Sequence, residues 1–263
     1  MIGIEAVLRR ERAVIATGMA VVVALAWGYL WQGAGMGMSA IDMTALTLFP
    51  HRLPDVMGEM DSDWPIVVAM WWVMMVAMMT PSAAPLVLLY GLVLRRHAPP
   101  GQNAYLPSLL LLAGYLVAWL AFAVAAAALQ KAMQPAGLLN GMMLWSRSAA
   151  MSAVVLGAAG LYQLSDIKYT CLGQCRNPAR FLTAHWRPGR FGSFALGIRH
   201  GAYCVGCCWL LMALLFVGGV MNLIWIAVLT LIVLVEKLSP AGEKIGKLSG
   251  GLLIVWAVAT LLV

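Results

Sequence analysis

Charge is what this chain has least of. Asp, Glu, Lys and Arg make up only 10% of its 263 residues, against 63% hydrophobic residues and a mean hydropathy of +0.89. A soluble domain carries roughly 25% charged residues, so a soluble globular fold is excluded and an integral membrane protein is expected. The alternation of apolar and polar positions that marks membrane-spanning strands is missing too. The apolar runs are instead long enough to cross a bilayer as helices, at about 20 residues each. The sequence contains no P-loop, no HExxH and no GxSxG, so nothing nominates a nucleotide-driven pump or a hydrolase. Internal repeats and low-complexity tracts are absent. Acidic residues are outnumbered 10 to 17 by Lys and Arg, giving a pI near 9.4. These basic residues lie in short blocks beside apolar segments, a pattern of membrane topology, and no nucleic-acid partner is expected.

The apolar segments predict helices at 13–31, 65–94, 107–129, 148–164, 198–217, 220–236 and 245–263. Arg9, Arg10 and Arg12 precede the first run, which is longer than the ~7–15 residues of a signal-peptide core; a retained first helix follows. Pro81 and Pro85 interrupt the second helix and free backbone carbonyls that a neighbour or a ligand must satisfy. The fifth and sixth helices, joined around Gly218 and Gly219, should form an antiparallel hairpin. With a cytoplasmic N-terminus, 14 Lys and Arg residues fall inside and only Arg52, Lys131 and Arg147 outside, accounting for all 17. That bias supports both the orientation and the helix count. The expected fold is an all-α, polytopic transmembrane bundle of about seven helices. It forms a single domain over 1–263 in a bacterial inner membrane.

Two connections carry more than linker composition. The outer one, about 32–63, holds Asp42, Asp55, Glu59, Asp61 and Asp63 with Met36, Met38, Met43, Met57, Met60 and His51. The inner one, about 165–197, holds Cys171, Cys175, several arginines, and Phe181, Trp186, Phe191 and Phe194. A basic, aromatic segment of this kind is expected along the inner membrane surface.

Cysteine is absent everywhere except between residues 171 and 208, where "CLGQC" and "YCVGCCW" hold all five. On the cytoplasmic side thiols stay reduced, so structural disulfides are not expected, and metal binding or thiol exchange is. At about 100° per residue, Cys208 lies near 40° from Cys204, Cys207 near −60°, His200 near −40° and Met212 near 80°. One arc of the fifth helix, at its inner mouth, thus carries three thiols, an imidazole and a thioether. Such a site suits Cu(I) or Zn(II), with Cu(I) favoured, and Cys171 with Cys175 could complete it. Free cysteines are also ordinary small buried hydrophobes.

The stretch "AMWWVMMVAMMTP" places Met70, Met74, Met75, Met78 and Met79 on one helix. Met74 and Met78 continue a ridge from Met70, while Met75 and Met79 lie near 140° and 180°. They cannot all meet one ion, and core packing competes with metal contact. Cysteine inside, methionine in the middle and methionine with aspartate outside would make a ladder of soft sites. Other positions are weaker candidates. Glu236 and Lys237 read as a solvated helix-end pair, Asp166 and Lys168 as flanks of the fourth helix, and Asn222 as a cap. His51, His97 and His185 show no helical partner.

Four motifs together resemble an uncharacterised family of bacterial integral membrane proteins described as predicted metal-binding. They are "MDSDWPIVVAMWWVMMVAMMTPSAAP", "YQLSDIKYTCLGQCRNP", "HGAYCVGCCWLLM" and "GVMNLIWIAVLTLIVLVEK", covering roughly 60–236. The resemblance implies marked positions at Met74, Met75, Met78, Met79 and Pro81; at Cys171 and Cys175; at Cys204, Cys207 and Cys208; and at Glu236 with Lys237. Asp166 departs from the Thr-Pro expected after "YQLS". The expected function is handling of a soft metal across or within the membrane. Cys171, Cys175, Cys204, Cys207, Cys208, His200, Met74, Met78 and Met212 are the candidate ligands. The lipid bilayer and a metallochaperone or a membrane or periplasmic protein are the expected partners. The alternatives are a membrane thiol oxidoreductase using the Cys-x-x-Cys-Cys cluster, and a non-catalytic membrane subunit or scaffold.

Overall fold

A computed structural model of the chain describes residues 2–34, 63–97, 104–139 and 146–262. These residues form α1 (Ile2–Trp31), α2 (Trp64–His97), α3 (Tyr105–Met133), α4 (Ala149–Gln163), α5 (Asp166–Arg176) and α6 (Pro178–His185). They continue as α7 (Gly189–Ala213), the single turn α8 (Leu215–Gly218), α9 (Leu223–Leu238) and α10 (Gly242–Leu262). The architecture is all-helical. Among the described residues the one β-type pairing is an isolated bridge between Leu139 and Ser146. The outer segment's Met36, Met38, Met43, Met57, Met60, Asp42, Asp55, Glu59, Asp61 and His51 lie outside the described residues.

Among the described residues, five helices are long and apolar enough to cross a membrane: Arg12–Trp31, Trp64–Arg96, Tyr105–Met133, Gly189–Gly218 and Gly242–Leu262. The pair α4 and α5 has the composition of one more span but is bent by 63° at its break. Local chemistry sets the starts. Ser148, Ser165 and Asn222 each accept a bond from a backbone N–H three residues on, capping α4, α5 and α9. Pro178 opens α6 where its missing N–H costs nothing.

Small residues and buried polar bonds hold the bundle. On α7, a Cβ at Gly197 would stand 2.0 Å from the Leu111 carbonyl oxygen, so α3 and α7 lie backbone against backbone. Gly160 and Gly250 give α4 and α10 the same close approach. Across α2 and α3, the Trp71 indole donates to Gln130 at 2.7 Å and the Trp72 indole to the Leu116 carbonyl at 3.1 Å. A buried indole N–H needs such a partner. Apolar side chains such as Leu25, Leu109, Val154, Leu161, Leu252 and Val255 face outward.

The inner connection expected as a loop over 165–197 is mostly helical. It folds as α5, α6 and the first turns of α7, because Leu172, Phe181, Leu182 and Leu196 are buried against the bundle. Its glycines and arginines read as loop composition, but packing overrides that preference. As a result α7 begins at Gly189 instead of 198, and Cys204 is the sixteenth of its 25 residues. The thiols therefore lie in the middle of this helix, not at its mouth. The expected hairpin is present. Trp225, near the start of α9, donates to the Leu214 carbonyl at 2.8 Å, and Lys237, near its end, reaches back to Cys204. Gly219, with φ +94°, makes the turn between them.

Candidate functional site

Cys204, Cys207 and Cys208 share the buried face of α7 with His200 one turn before and Met212 one turn after. Helix α5 packs against them. It brings Cys175 next to Cys204 and Cys207, and Cys208 completes the group around Cys204. Cys171 lies at the edge, half-buried, its sulfur 3.1 Å from where a Cβ at Gly206 would stand. The sequence arc and the proposed help from α5 are thus brought together in space, and all five thiols are free.

The surroundings of Cys204 are more polar than the sequence suggested. Lys237 Nζ donates to Cys204 Sγ at 2.8 Å and to Ser82 Oγ at 3.2 Å. The Tyr115 hydroxyl stands 3.0 Å from the same sulfur and donates to the Met79 carbonyl at 2.9 Å. Ser82 Oγ also donates to that carbonyl, at 2.8 Å. The segment before Pro81 is therefore bonded by α3 and by its own serine, as a proline-interrupted membrane helix requires. Helices α2, α3, α7 and α9 all meet at this point.

The reading of Glu236 and Lys237 as a solvated end pair is corrected: both are buried, 2% and 5% exposed. Helix α10 folds back over the end of α9, where a Cβ at Gly242 would stand 2.0 Å from the Glu236 carbonyl oxygen, and it excludes water. Glu236 pairs with the fully buried Lys168 at 2.6 Å. Gln163 donates to Glu236 at 2.7 Å and to Ser249 at 2.8 Å, and accepts from Lys168. Lys168 thus does more than flank α4. Asn222 caps α9, as expected. Buried charges survive only with such partners.

Met70, Met74, Met75, Met78 and Met79 are all fully buried, as is Met212. Helix α2 touches the thiol group through Ser82, 4.0 Å from Cys204 Sγ, and through the Met79 carbonyl. His200 is 2% exposed, its ring against those of Phe181 at 5.0 Å and Tyr115 at 5.9 Å, and its Nδ1 has no hydrogen-bond partner. Among the described residues no group of three or more Cys, His, Asp or Glu side chains is arranged to hold a metal ion. The sulfurs of Cys207 and Cys208 instead donate to the Cys204 carbonyl at 3.1 and 2.9 Å, while Lys237 occupies Cys204. Ligation would require those thiols to turn away from the backbone.

The family described as PpoB2: Copper chaperone matches residues 68–260, a stretch that includes every cysteine, the methionine run of α2 and Lys237. The chain belongs to the PpoB2 copper chaperone family. No curated protein and no solved structure matches it. Membership of the PpoB2 family connects the chain with copper handling. The soft donors available for copper are the thiols of α5 and α7, the thioether of Met212 and the imidazole of His200. Sequence reasoning missed Ser82, Tyr115 and Gln163. The signal for them was a polar side chain inside each of three apolar runs, which is costly in a membrane unless it is used.

Proposed function

We propose that this PpoB2-family chain is a membrane-embedded chaperone or insertion factor that holds Cu(I) at Cys204, Cys207 and Cys208, assisted by Cys175 and Cys171. The observation that carries the reading is the convergence of thiols from two helices on Cys204 beside the buried Lys237. A Cu(I) ion held by two thiolates carries net negative charge, and a lysine ammonium at the same spot offsets it. Thiolates suit Cu(I) better than hard cations. Met212 and His200 border the group, and Met74 and Met78, on the helix that touches Cys204 through Ser82, serve as intermediate contacts.

The same reading places the chain in a bacterial inner membrane as one unit of about seven spans with the N-terminus inside. Of the 14 Lys and Arg residues assigned to that side, Lys168 and Lys237 are buried and count as site residues, leaving 12 against 3. The bias still favours this orientation. A metallochaperone or an acceptor protein is the partner.

Metal analysis of detergent-purified protein, loaded anaerobically with Cu(I) or with Zn(II), tests the function. Wild type should keep copper in a fixed ratio to chain, and the variant with serine at Cys204, Cys207 and Cys208 should keep none. Equal copper in both would overturn the assignment.

A further inference from the structure

Sixteen residues into α7, Cys204 is walled off by α2, α3, α5 and α9, so cargo needs a way in. Among the described residues, besides the half-buried Cys171 and Cys175, a second set of soft donors leads from Cys204 toward the surface. Helix α6 folds back so that the Phe181 ring, itself fully buried, stands 5.0 Å from the His200 ring on its inner side. The ring of half-buried His185 also lies against Phe181, at 4.8 Å. Tyr203 closes the flank, 6.2 Å from Phe181 and 6.3 Å from His185. Phe181 thus touches both His185 and His200.

The chemistry of both imidazoles is that of ligands in waiting. His185 Nδ1 lies 3.1 Å from the Phe181 carbonyl oxygen. A carbonyl only accepts, so Nδ1 carries the proton, and in the neutral ring Nε2 keeps its lone pair. Metal-binding histidines are commonly fixed in this way by a backbone carbonyl on the other nitrogen. His200 is buried with Nδ1 unpartnered, a cost that a folded protein ordinarily avoids. One helical turn, about 5–6 Å between Cβ atoms, takes a ligand from His200 to Cys204. Arg180 on α6, and Arg187 and Arg190 soon after His185 in the chain, are exposed. They repel a bare cation and attract copper carried in an anionic complex.

We propose that His185 and His200 form a two-imidazole port, plugged by the Phe181 ring, through which Cu(I) passes from an anionic donor complex to Cys204. The proposal rests on the thiol site above and adds the route to it. His185 takes the ion from the donor, the ring swings aside, and His200 hands the ion to the thiol. No redox change is involved: copper stays Cu(I), the donor's ligands leave to solvent, and each thiol that takes the ion loses its proton to solvent.

The test is the rate at which the anionic Cu(I)–bicinchoninate complex loses its colour on mixing with purified full-length protein under anaerobic conditions, read with the final copper per chain. His185→Ala should slow transfer by about tenfold and leave the final copper unchanged, and Phe181→Leu should accelerate it. His185→Gln, with an unaltered melting temperature as the check on folding, should also be slow. Wild-type rates in both His185 variants would overturn the port while leaving the thiol site standing. Copper retained by the triple-serine variant, or no uptake by wild type, would overturn both the thiol assignment and the route to it.

Discussion

Lys237 Nζ lies 2.8 Å from Cys204 Sγ, joining the last turn of α9 to the middle of α7 through a buried cation and a sulfur. The contact ties the charge that ends one apolar run to the thiol at the centre of another. Replacing Lys237 with Met should lower thermal stability in detergent. A cycle with Cys204→Ala should give a coupling of about 0.5–3 kcal/mol, the range for residues sharing one polar network. Strict additivity of the two substitutions would show that the pair does not interact.

The neighbouring Glu236 pairs with Lys168 at 2.6 Å, with almost no exposure of either side chain. Breaking one member of a buried pair costs about 3–5 kcal/mol, because the survivor is left charged and unpaired. Glu236→Gln and Lys168→Met should each be strongly destabilising, and the double variant should cost less than their sum. By contrast Lys247 and Glu243, an exposed i,i+4 pair on α10, should contribute almost nothing to stability. Thermal melts of these three variants, and of Lys247→Ala, separate the two cases.

Gly197 should tolerate no side chain. Its added Cβ would stand 2.0 Å from a backbone oxygen that cannot rotate away, so Gly197→Ala should push α3 and α7 apart. A cost above the usual overpacking range of about 1–3 kcal/mol is expected. Gly173→Ala, with nothing within 4 Å of the new Cβ, should be neutral or slightly stabilising through helix propensity. Expression level and melting temperature give the comparison.

The methionines of α2 can be separated into packing and passage. Leucine at Met74 and Met78 conserves volume and should cost less than about 1.5 kcal/mol. If these sulfurs are intermediate contacts, the double variant should bind copper at the thiols in the wild-type ratio and release it more slowly to a chelator. Wild-type release kinetics would make them packing residues alone.

Much of the fold was legible because membrane helices announce themselves by length and apolarity. Each of the seven predicted segments contains or overlaps an observed helix. The thiol arc was legible for a similar reason: Cys204, Cys207 and Cys208 lie on one helix, where angular position follows from spacing. Partners from other helices were not. Lys237 beside Cys204, Tyr115 beside both, and His185 beside His200 through Phe181 are relationships of packing, which local periodicity does not encode. The segment over 165–197 was misjudged because its glycines and arginines weigh against helix locally, while the buried Leu172, Phe181 and Leu196 weigh for it only once the bundle is assembled.

X-ray absorption at the copper edge, on protein loaded anaerobically with Cu(I) and freed of excess metal, tests the central claim most directly. Sulfur scattering should dominate the first shell in wild type, and the variant with serine at Cys204, Cys207 and Cys208 should retain no copper signal. A first shell of nitrogen and oxygen alone in the wild-type protein would contradict copper binding by the thiols around Cys204.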